Sequence, residues 1–355
     1  MEENNFLKDF AAHTVRDWEK VAQQELGDKN PWESLSNNKV GVIIKPYYDD
    51  SDAVTENEIS FNRDVAGWQN IPKVSVSSEI NANKAALMHL NAGADGIWFE
   101  IQSNQIDFDV LLKNIELPFC MVFFSISNDS TLITESLASF IEKKGWQQEI
   151  TGAILSESFN ENLTQMVGCK KFRANGIIVK ENKNVVDEIV DSLLTAVDII
   201  EGLKSRNFSA DEAFLSIAFS ISVNADFFVS IAKIRALKNL WITLQEAYQI
   251  KKPSFAFIQA YSKKWNLESY QPHGNMLKQT TAAMAAAIAG CEVITVEPEE
   301  MESPMMQRIA RNVPSMLFEE SHLSKVNDPL AGSFYIESLT HEIAAQAWKK
   351  IQQYS

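Results

Sequence analysis

Between residues 74 and 296, short β-branched or aromatic runs alternate with longer stretches of helical spacing, and no other property of the chain narrows its fold so far. A strand parallel to its predecessor needs a crossover of about a dozen residues or more, usually a helix, so this alternation predicts a parallel sheet with helices outside it. The runs are 74–80, 96–101, 119–126, 152–155, 176–179, 214–222, 254–260 and 292–296. Stretches between them, such as 82–92 and 185–203, place apolar residues three and four apart, as an amphipathic outer helix does. Eight such units predict an α/β fold, a closed (β/α)8 barrel of the TIM type.

A chain of 355 residues with 45% hydrophobic content can bury a barrel-sized core, so disorder is excluded. The formal charge of -15 repels phosphate backbones and anionic lipid, which argues against nucleic acid and membrane surfaces as partners. The first 30 residues intersperse charges such as Glu2, Lys8 and Arg16, with no secretory apolar run, and no later stretch reaches the length of a membrane span. The expectation is a cytoplasmic protein. Cys120, Cys169 and Cys291 are odd in number and far apart, which fits reduced, small apolar fillers better than a disulfide framework or a zinc site.

Segment 225–248 carries Phe227, Phe228, Ile231, Ile234, Leu237, Leu240 and Trp241 at helical spacing and predicts a long barrel helix whose aromatics pack on the core. Segment 275–289 is alanine-rich, permitting close approach to a neighbour. Ahead of the barrel, 5–26 is amphipathic through Phe6, Phe10, Val15, Trp18, Val21 and Leu26, with Gly27 as its stop. Its stripe needs a surface, either its own domain or another subunit. Residues 41–48, GVIIKPYY, form an extended lead into the barrel. This divides the chain into an N-terminal helical extension and linker, 1–50, serving as a docking arm, and a barrel, 51–355. The last segment, 336–355, has helical spacing but no glycine stop and reads as an element cut before its end.

Three ordered blocks carry a resemblance. FFVSIAKIRALKNLW (227–241) contains Ala-Lys-hydrophobic-Arg-Ala; RIARN (308–312) precedes Glu319-Glu320-Ser321; and Asp328-Pro329-x-x-Gly332-Ser333 follows. In order and spacing they resemble methylmalonyl-CoA mutases, and Trp18, Glu25-Leu26-Gly27 and Lys45-Pro46-Tyr47 add a looser match to the front of small mutase subunits. The resemblance implies a (β/α) barrel followed by a cobalamin-binding domain, and radical isomerisation of methylmalonyl-CoA and succinyl-CoA in which the cofactor supplies the difficult step.

Much of what that chemistry requires is missing. The family's Asp-x-His-x-x-Gly loop, whose histidine ligates cobalt, occurs nowhere in these 355 residues, so no cobalamin-binding domain is expected in them. His13, His89, His273, His322 and His341 are not spaced as a metal cluster and read as surface or cap residues. The family's Tyr-His pair, carried on the fifth strand, matches Gly176 and Ile177, neither of which has a donor side chain. Active subunits read Arg-Thr-His-x-Gln-Thr-Ser-Gly-Trp where this chain reads FIQAYSKKW (257–265), so Phe257, Tyr261 and Lys264 replace arginine, glutamine and glycine.

The resemblance therefore implies a small subunit with no catalytic or cofactor-binding residues of its own. A large catalytic subunit would carry adenosylcobalamin and meet acyl-CoA in the complex. Lys233, Arg235, Arg308, Arg311, Asn312, Asp328 and Gly332 would be kept for structure, the charged ones as buried or interface ion pairs more than as remnants of ligand binding. A second reading is a barrel that still binds acyl-CoA and takes part in turnover, with its cobalamin domain downstream or on another chain. A free-standing barrel hydrolase or lyase would need polar groups at the strand ends, where Ser75-Ser77-Ser78-Glu79 and Ser125-Ser127-Asn128-Asp129 are the tempting clusters. Glycines form no phosphate-cradling loop, and Glu299-Glu300, Glu319-Glu320 and Lys263-Lys264 read as solvated surface.

Overall fold

Pro72 divides the first barrel strand into two pieces, and that division shows how the sheet closes. The structure is a computed structural model that describes residues 13–38, 40–54, 67–103, 105–126, 131–156, 166, 169, 171–182, 184–224, 226–263 and 273–354. Its strands are β1 (Gln69–Asn70), β2 (Lys73–Val76), β3 (Gly96–Ile101), β4 (Met121–Ile126), β5 (Gly152–Ser156), β6 (Phe172–Ile178), β7 (Ile217–Val223), β8 (Ile258–Ser262) and β9 (Val293–Val296). All neighbours are parallel, in the order β1-β9-β8-β7-β6-β5-β4-β3-β2. Gln69 registers with Val293 on one side, and Lys73 with Trp98 on the other. Pro72 has no N–H to donate, but its carbonyl still accepts from Trp98 N at 3.0 Å. β1 and β2 are thus halves of one strand touching both ends of the sheet, and the nine segments curl into a TIM-like (β/α) barrel of eight strands.

Helices α1 (Val15–Leu26) and α2 (Pro31–Leu35) precede the barrel. Around it lie α3 (Glu79–Asn91), α4 (Phe108–Leu111), α5 (Thr131–Lys144), α6 (Val185–Lys204), α7 (Ala210–Leu215), α8 (Phe227–Ala247), α9 (Gly274–Ile288), α10 (Pro304–Glu319) and α11 (Phe334–Ile351). The expected runs hold, with boundaries moved by local chemistry. Run 74–80 ends as a strand at Val76, because extended Ser78 is the N-cap of α3 and Ile80 is already helical. Phe214 leaves run 214–222 for α7, whose start is fixed by a reciprocal Ser209–Glu212 capping box. Run 119–126 starts as a strand at Met121, because Pro118 sits in a 3₁₀ turn, Leu117–Phe119. Runs 254–260 and 176–179 are displaced to Ile258–Ser262 and Phe172–Ile178. In 5–26 the described helix begins at Val15 behind Thr14 and ends at Gly27; Phe6 and Phe10 lie outside the described residues.

Strand alternation separates two cores. Ile97, Phe99 and Ile101 of β3 face the outer core shared with the helices, whereas Trp98 belongs to an inner cluster with Ile71, Phe123, Ala153, Leu155, Ala218, Tyr261 and Val293. α8 is more completely buried than an outer helix usually is, because α11 lies across it and α6 and adds a third layer.

The segment ahead of the barrel reaches it through its extended part. Val42 is buried in the outer core, Val185 N donates to Val40 O at 3.2 Å, and Ser338 Oγ donates to Asp52 O at 2.9 Å. Tyr48 meets Tyr335 of α11 at 5.1 Å. α1 and α2 pack on each other and on Tyr47 through Trp18, whose ring lies 4.8 Å from Trp32 and 5.5 Å from Tyr47. No described helix is long and apolar enough to cross a membrane.

Candidate functional site

A parallel barrel places its reactive groups at the C-terminal ends of its strands, and there this chain has a cavity of about 470 Å³. Lys73, Glu100, Lys263 and Glu297 stand on its wall, with Trp98 and Tyr261 beneath. Lys73 Nζ lies 2.5 Å from Glu297 and 3.4 Å from Glu100, and 5.2 Å over the Trp98 ring. Burial, the largest influence on Lys73, disfavours its charge, yet Glu297 and Glu100 outweigh it and hold the amine above the ordinary lysine range. Burial, aided by Glu181, Glu297 and Glu188, pushes the Tyr261 hydroxyl well above its usual range, so it stays a neutral donor. Burial alone would raise Glu181, but hydrogen bonds from Ser222 and Lys263 hold it low. Lys73 and Lys263 are already matched by carboxylates, so among the described residues the wall offers no spare cation for an anionic substrate. Of the serine clusters, Ser75 Oγ donates to Glu100 at 2.7 Å and Ser125 Oγ accepts from Trp98 Nε1 at 2.9 Å; Ser127, Asn128 and Asp129 lie outside the described residues.

Below this mouth the bore is filled. Trp98 and Tyr261 meet edge to face at 5.5 Å, and Phe123 stacks with Phe257 at 6.4 Å. Phe123 and Leu155 are fully buried. Ser220 donates to Gln259, Gln259 Nε2 to Thr295 Oγ1 at 3.1 Å, and Thr295 to Ile71 O at 2.7 Å, so these buried polar groups satisfy one another. Arg173 Cζ lies 5.4 Å from the Phe257 ring at the far end. Of block 257–265, Phe257, Gln259 and Tyr261 occupy the bore, Lys263 reaches the mouth, and Lys264 and Trp265 fall outside the described residues.

Gly176 sits on β6, the fifth barrel strand, where a Cβ would meet Ile154 O and Leu155 Cδ2, both at 2.6 Å. Ile177 points away from the bore into the outer core. Neither can present a donor to the axis.

The other residues matched to the family lie outside the bore. Lys233 Nζ, on α8, bonds Glu188 of α6 at 2.7 Å and Ser222 O at 3.3 Å, and both side chains are almost wholly buried. Arg235, one step along the helix, pairs with Asp328 and, at 2.6 Å, with Glu337 of α11. The Asp328-Pro329-x-x-Gly332-Ser333 block is the turn into α11: Asp328 Oδ1 accepts from Leu330 N at 3.3 Å, Gly332 adopts φ +79°, and Ser333 is the N-cap. Two blocks distant in sequence thus form one clamp. Arg308 and Asn312 are instead exposed on α10, Arg311 is half-buried, and among the described residues neither arginine makes an ion pair.

The partners Glu188 and Glu337 went unnoticed in the sequence, although a charged residue among Val185, Val186, Ile189 and Val190 was a usable signal for Glu188. Lys73, Glu100 and Glu297 were also missed, since they meet only when the barrel closes. His89 corrects the surface reading of the histidines: it is buried, its Nδ1 has no partner, and burial, helped by Arg311, pushes its imidazole down to about 4. His273 is the N-cap of α9, and His13, His322 and His341 are exposed. Cys169 and Cys291 are buried and Cys120 partly so.

Among the described residues no group of three His, Cys, Asp or Glu side chains could hold a metal. No histidine lines the mouth. The described residues at the mouth thus offer no imidazole to a corrinoid.

The family model for methylmalonyl-CoA mutase matches residues 164–355. A methylmalonyl-CoA mutase small subunit from Porphyromonas gingivalis is 30% identical over 76% of this chain and 49% of its own length. The small subunit from Propionibacterium freudenreichii subsp. shermanii is 25% identical over 97% of this chain and 62% of its own, and a methylmalonyl-CoA mutase from Cereibacter sphaeroides 30% over 95% and 57%. The chain spans about half the length of the curated relatives it matches. Among solved structures, a dihydropteroate synthase from Thermus thermophilus aligns with a TM-score of 0.40 at 9% identity, covering 73% of this chain and 97% of that one.

Proposed function

Because the chain belongs to the methylmalonyl-CoA mutase family, we propose that it is the barrel of a small subunit that is itself non-catalytic and stabilises a large catalytic partner. In this reading the large subunit carries adenosylcobalamin, and the complex interconverts methylmalonyl-CoA and succinyl-CoA. The observation that carries it is the filled bore: Trp98, Phe123, Leu155 and Tyr261 occupy the axis, and Gly176 has no room for a side chain. Hydrophobic volume suffices to maintain a fold, so an interior relieved of chemistry can fill without loss of the outer surface. The arm supports assembly as the remaining role, since Val21, Leu35 and Ile43 are exposed at 56%, 46% and 64%. It is the part proposed to dock on the partner.

Co-expression with a large mutase subunit followed by gel filtration tests the reading. One co-eluting peak is expected, and two separate peaks at micromolar concentration would overturn it. Supplied alone with adenosylcobalamin and methylmalonyl-CoA, the chain is expected to be inert. The cavity at the mouth favours the second reading, an acyl-CoA-binding barrel, and calorimetric titration with methylmalonyl-CoA separates the two: saturable micromolar binding supports the second.

A further inference from the structure

We propose that the outer face of α10 is a docking surface for a carboxylate flanked by apolar side chains, supplied by the large subunit. The inference rests on the assembly reading above and adds a second contact region to the arm. Met305, Arg308, Asn312 and Met316 fall three or four positions apart, on one stripe of the helix. All four are exposed, Met305 at 59% and Met316 at 50%, and Leu277 of neighbouring α9 is exposed at 69%. The stripe therefore has an arginine and an amide at its centre and adaptable apolar side chains at its ends. Arginine and methionine are enriched at interfaces, where methionine fits irregular partners.

The charge balance points to an acid. Among the described residues the side chains of Arg308 and Arg311 have no hydrogen bond or ion pair, although the whole chain carries a net charge of -15. Arg311 Nε is buried without a partner, and beneath it so is Nδ1 of His89, a side chain only 4% exposed. Burial first and Arg308 second lower Arg311, while Arg311 in turn helps to lower His89. Among the described residues no carboxylate pairs with these arginines, unlike at Lys233 and Arg235, where carboxylates answer the charge. Asn70 Nδ2 donates to the backbone oxygen of Arg311 at 2.7 Å and to Ser315 Oγ at 3.1 Å, so α10 is held to the barrel here without the guanidinium. A free inorganic anion would satisfy the arginines but would leave Met305, Met316 and Leu277 in water.

The test uses the complex of the full chain with the large subunit. Peroxide oxidation read by mass spectrometry should find Met305 and Met316 protected in the complex relative to the free chain. Arg308→Glu should weaken the complex about tenfold, equivalent to about 1.4 kcal/mol. Because Arg308 is exposed, the free variant should keep the wild-type thermal midpoint, which excludes misfolding as the cause. If the complex forms with both methionines fully oxidisable and Arg308→Glu binding as wild type, this surface is overturned while the assembly reading stands. If wild-type chains form no complex, the assembly reading fails and the docking proposal falls with it.

Discussion

The bore below its mouth and the helix layer around it are both buried and largely apolar, yet among the described residues only the helix layer adds buried ion pairs. Inside, Trp98, Phe123, Leu155 and Tyr261 close the axis by volume. Outside, Lys233–Glu188 and Arg235–Asp328–Glu337 tie α8 to α6 and α11 through charges. Apolar packing is tolerant of which side chain supplies the volume, whereas a buried ion demands a particular partner in a particular place. The difference teaches where each constraint lies: the apolar part of the interior needs only to be full, while the ion pairs of the outer layer specify which elements meet.

The sharpest way to break this contrast is to remove one charge. Lys233→Ala should cost about 3–5 kcal/mol in denaturant unfolding, because Glu188 is left buried without its partner. The double variant Lys233→Met, Glu188→Met should recover most of that loss; a double variant as unstable as the single one would mean the site's stability is not electrostatic. In the bore, Phe123→Ala should also cost about 3–5 kcal/mol and leave a dry cavity that binds a small apolar probe such as benzene. A loss under about 1 kcal/mol would show that the axis is loosely packed.

His89 is an unanswered polar group in the outer layer, and it sharpens the comparison through pH. Its folded-state value, about 4, lies below the ordinary 6.5, so below pH 6.5 the unfolded chain binds the proton first and stability falls as pH drops towards 4. Across that window the group accounts for about 3 kcal/mol, and His89→Gln should flatten that part of the wild-type stability–pH curve. Equal slopes in wild type and variant would remove His89 as the cause. The smallest effect is expected at Gly176→Ala, about 1–3 kcal/mol in thermal unfolding, since the new methyl meets Ile154 O and Leu155 Cδ2. A neutral outcome would mean that β5 can move aside and that the bore is less rigid than its burial implies.

Legibility differed in the same two regions. The strand runs and α6, α8 and α9 were readable because periodicity is local, and the shifts at Ser78 and Phe214 came from capping residues within a few positions. The bulk of Phe257 and Tyr261 could be anticipated from their block, but that Trp98 and Phe123 join them could not, because three strands supply those side chains. The blocks of the outer layer were recognised, but their pairing was not: Lys233 and Glu188 are 45 positions apart, and Arg235 lies 93 from Asp328 and 102 from Glu337. Arg308 looked equivalent to Arg235 as a charged member of a block, and only exposure separates them.

The order of residues determined the alternation of strands and helices, the turn into α11 through Asp328, Gly332 and Ser333, and the absence of a cobalt-ligating loop from these 355 residues. Those properties depend on neighbours along the chain. The tertiary structure decided that the bore is full, that two distant blocks clamp α11 across α8, and that Arg308 faces outward and Arg311 is half-buried, neither paired with a carboxylate among the described residues. Burial and charge pairing are set by distances in space, and closing the barrel through the halves around Pro72 fixes those distances.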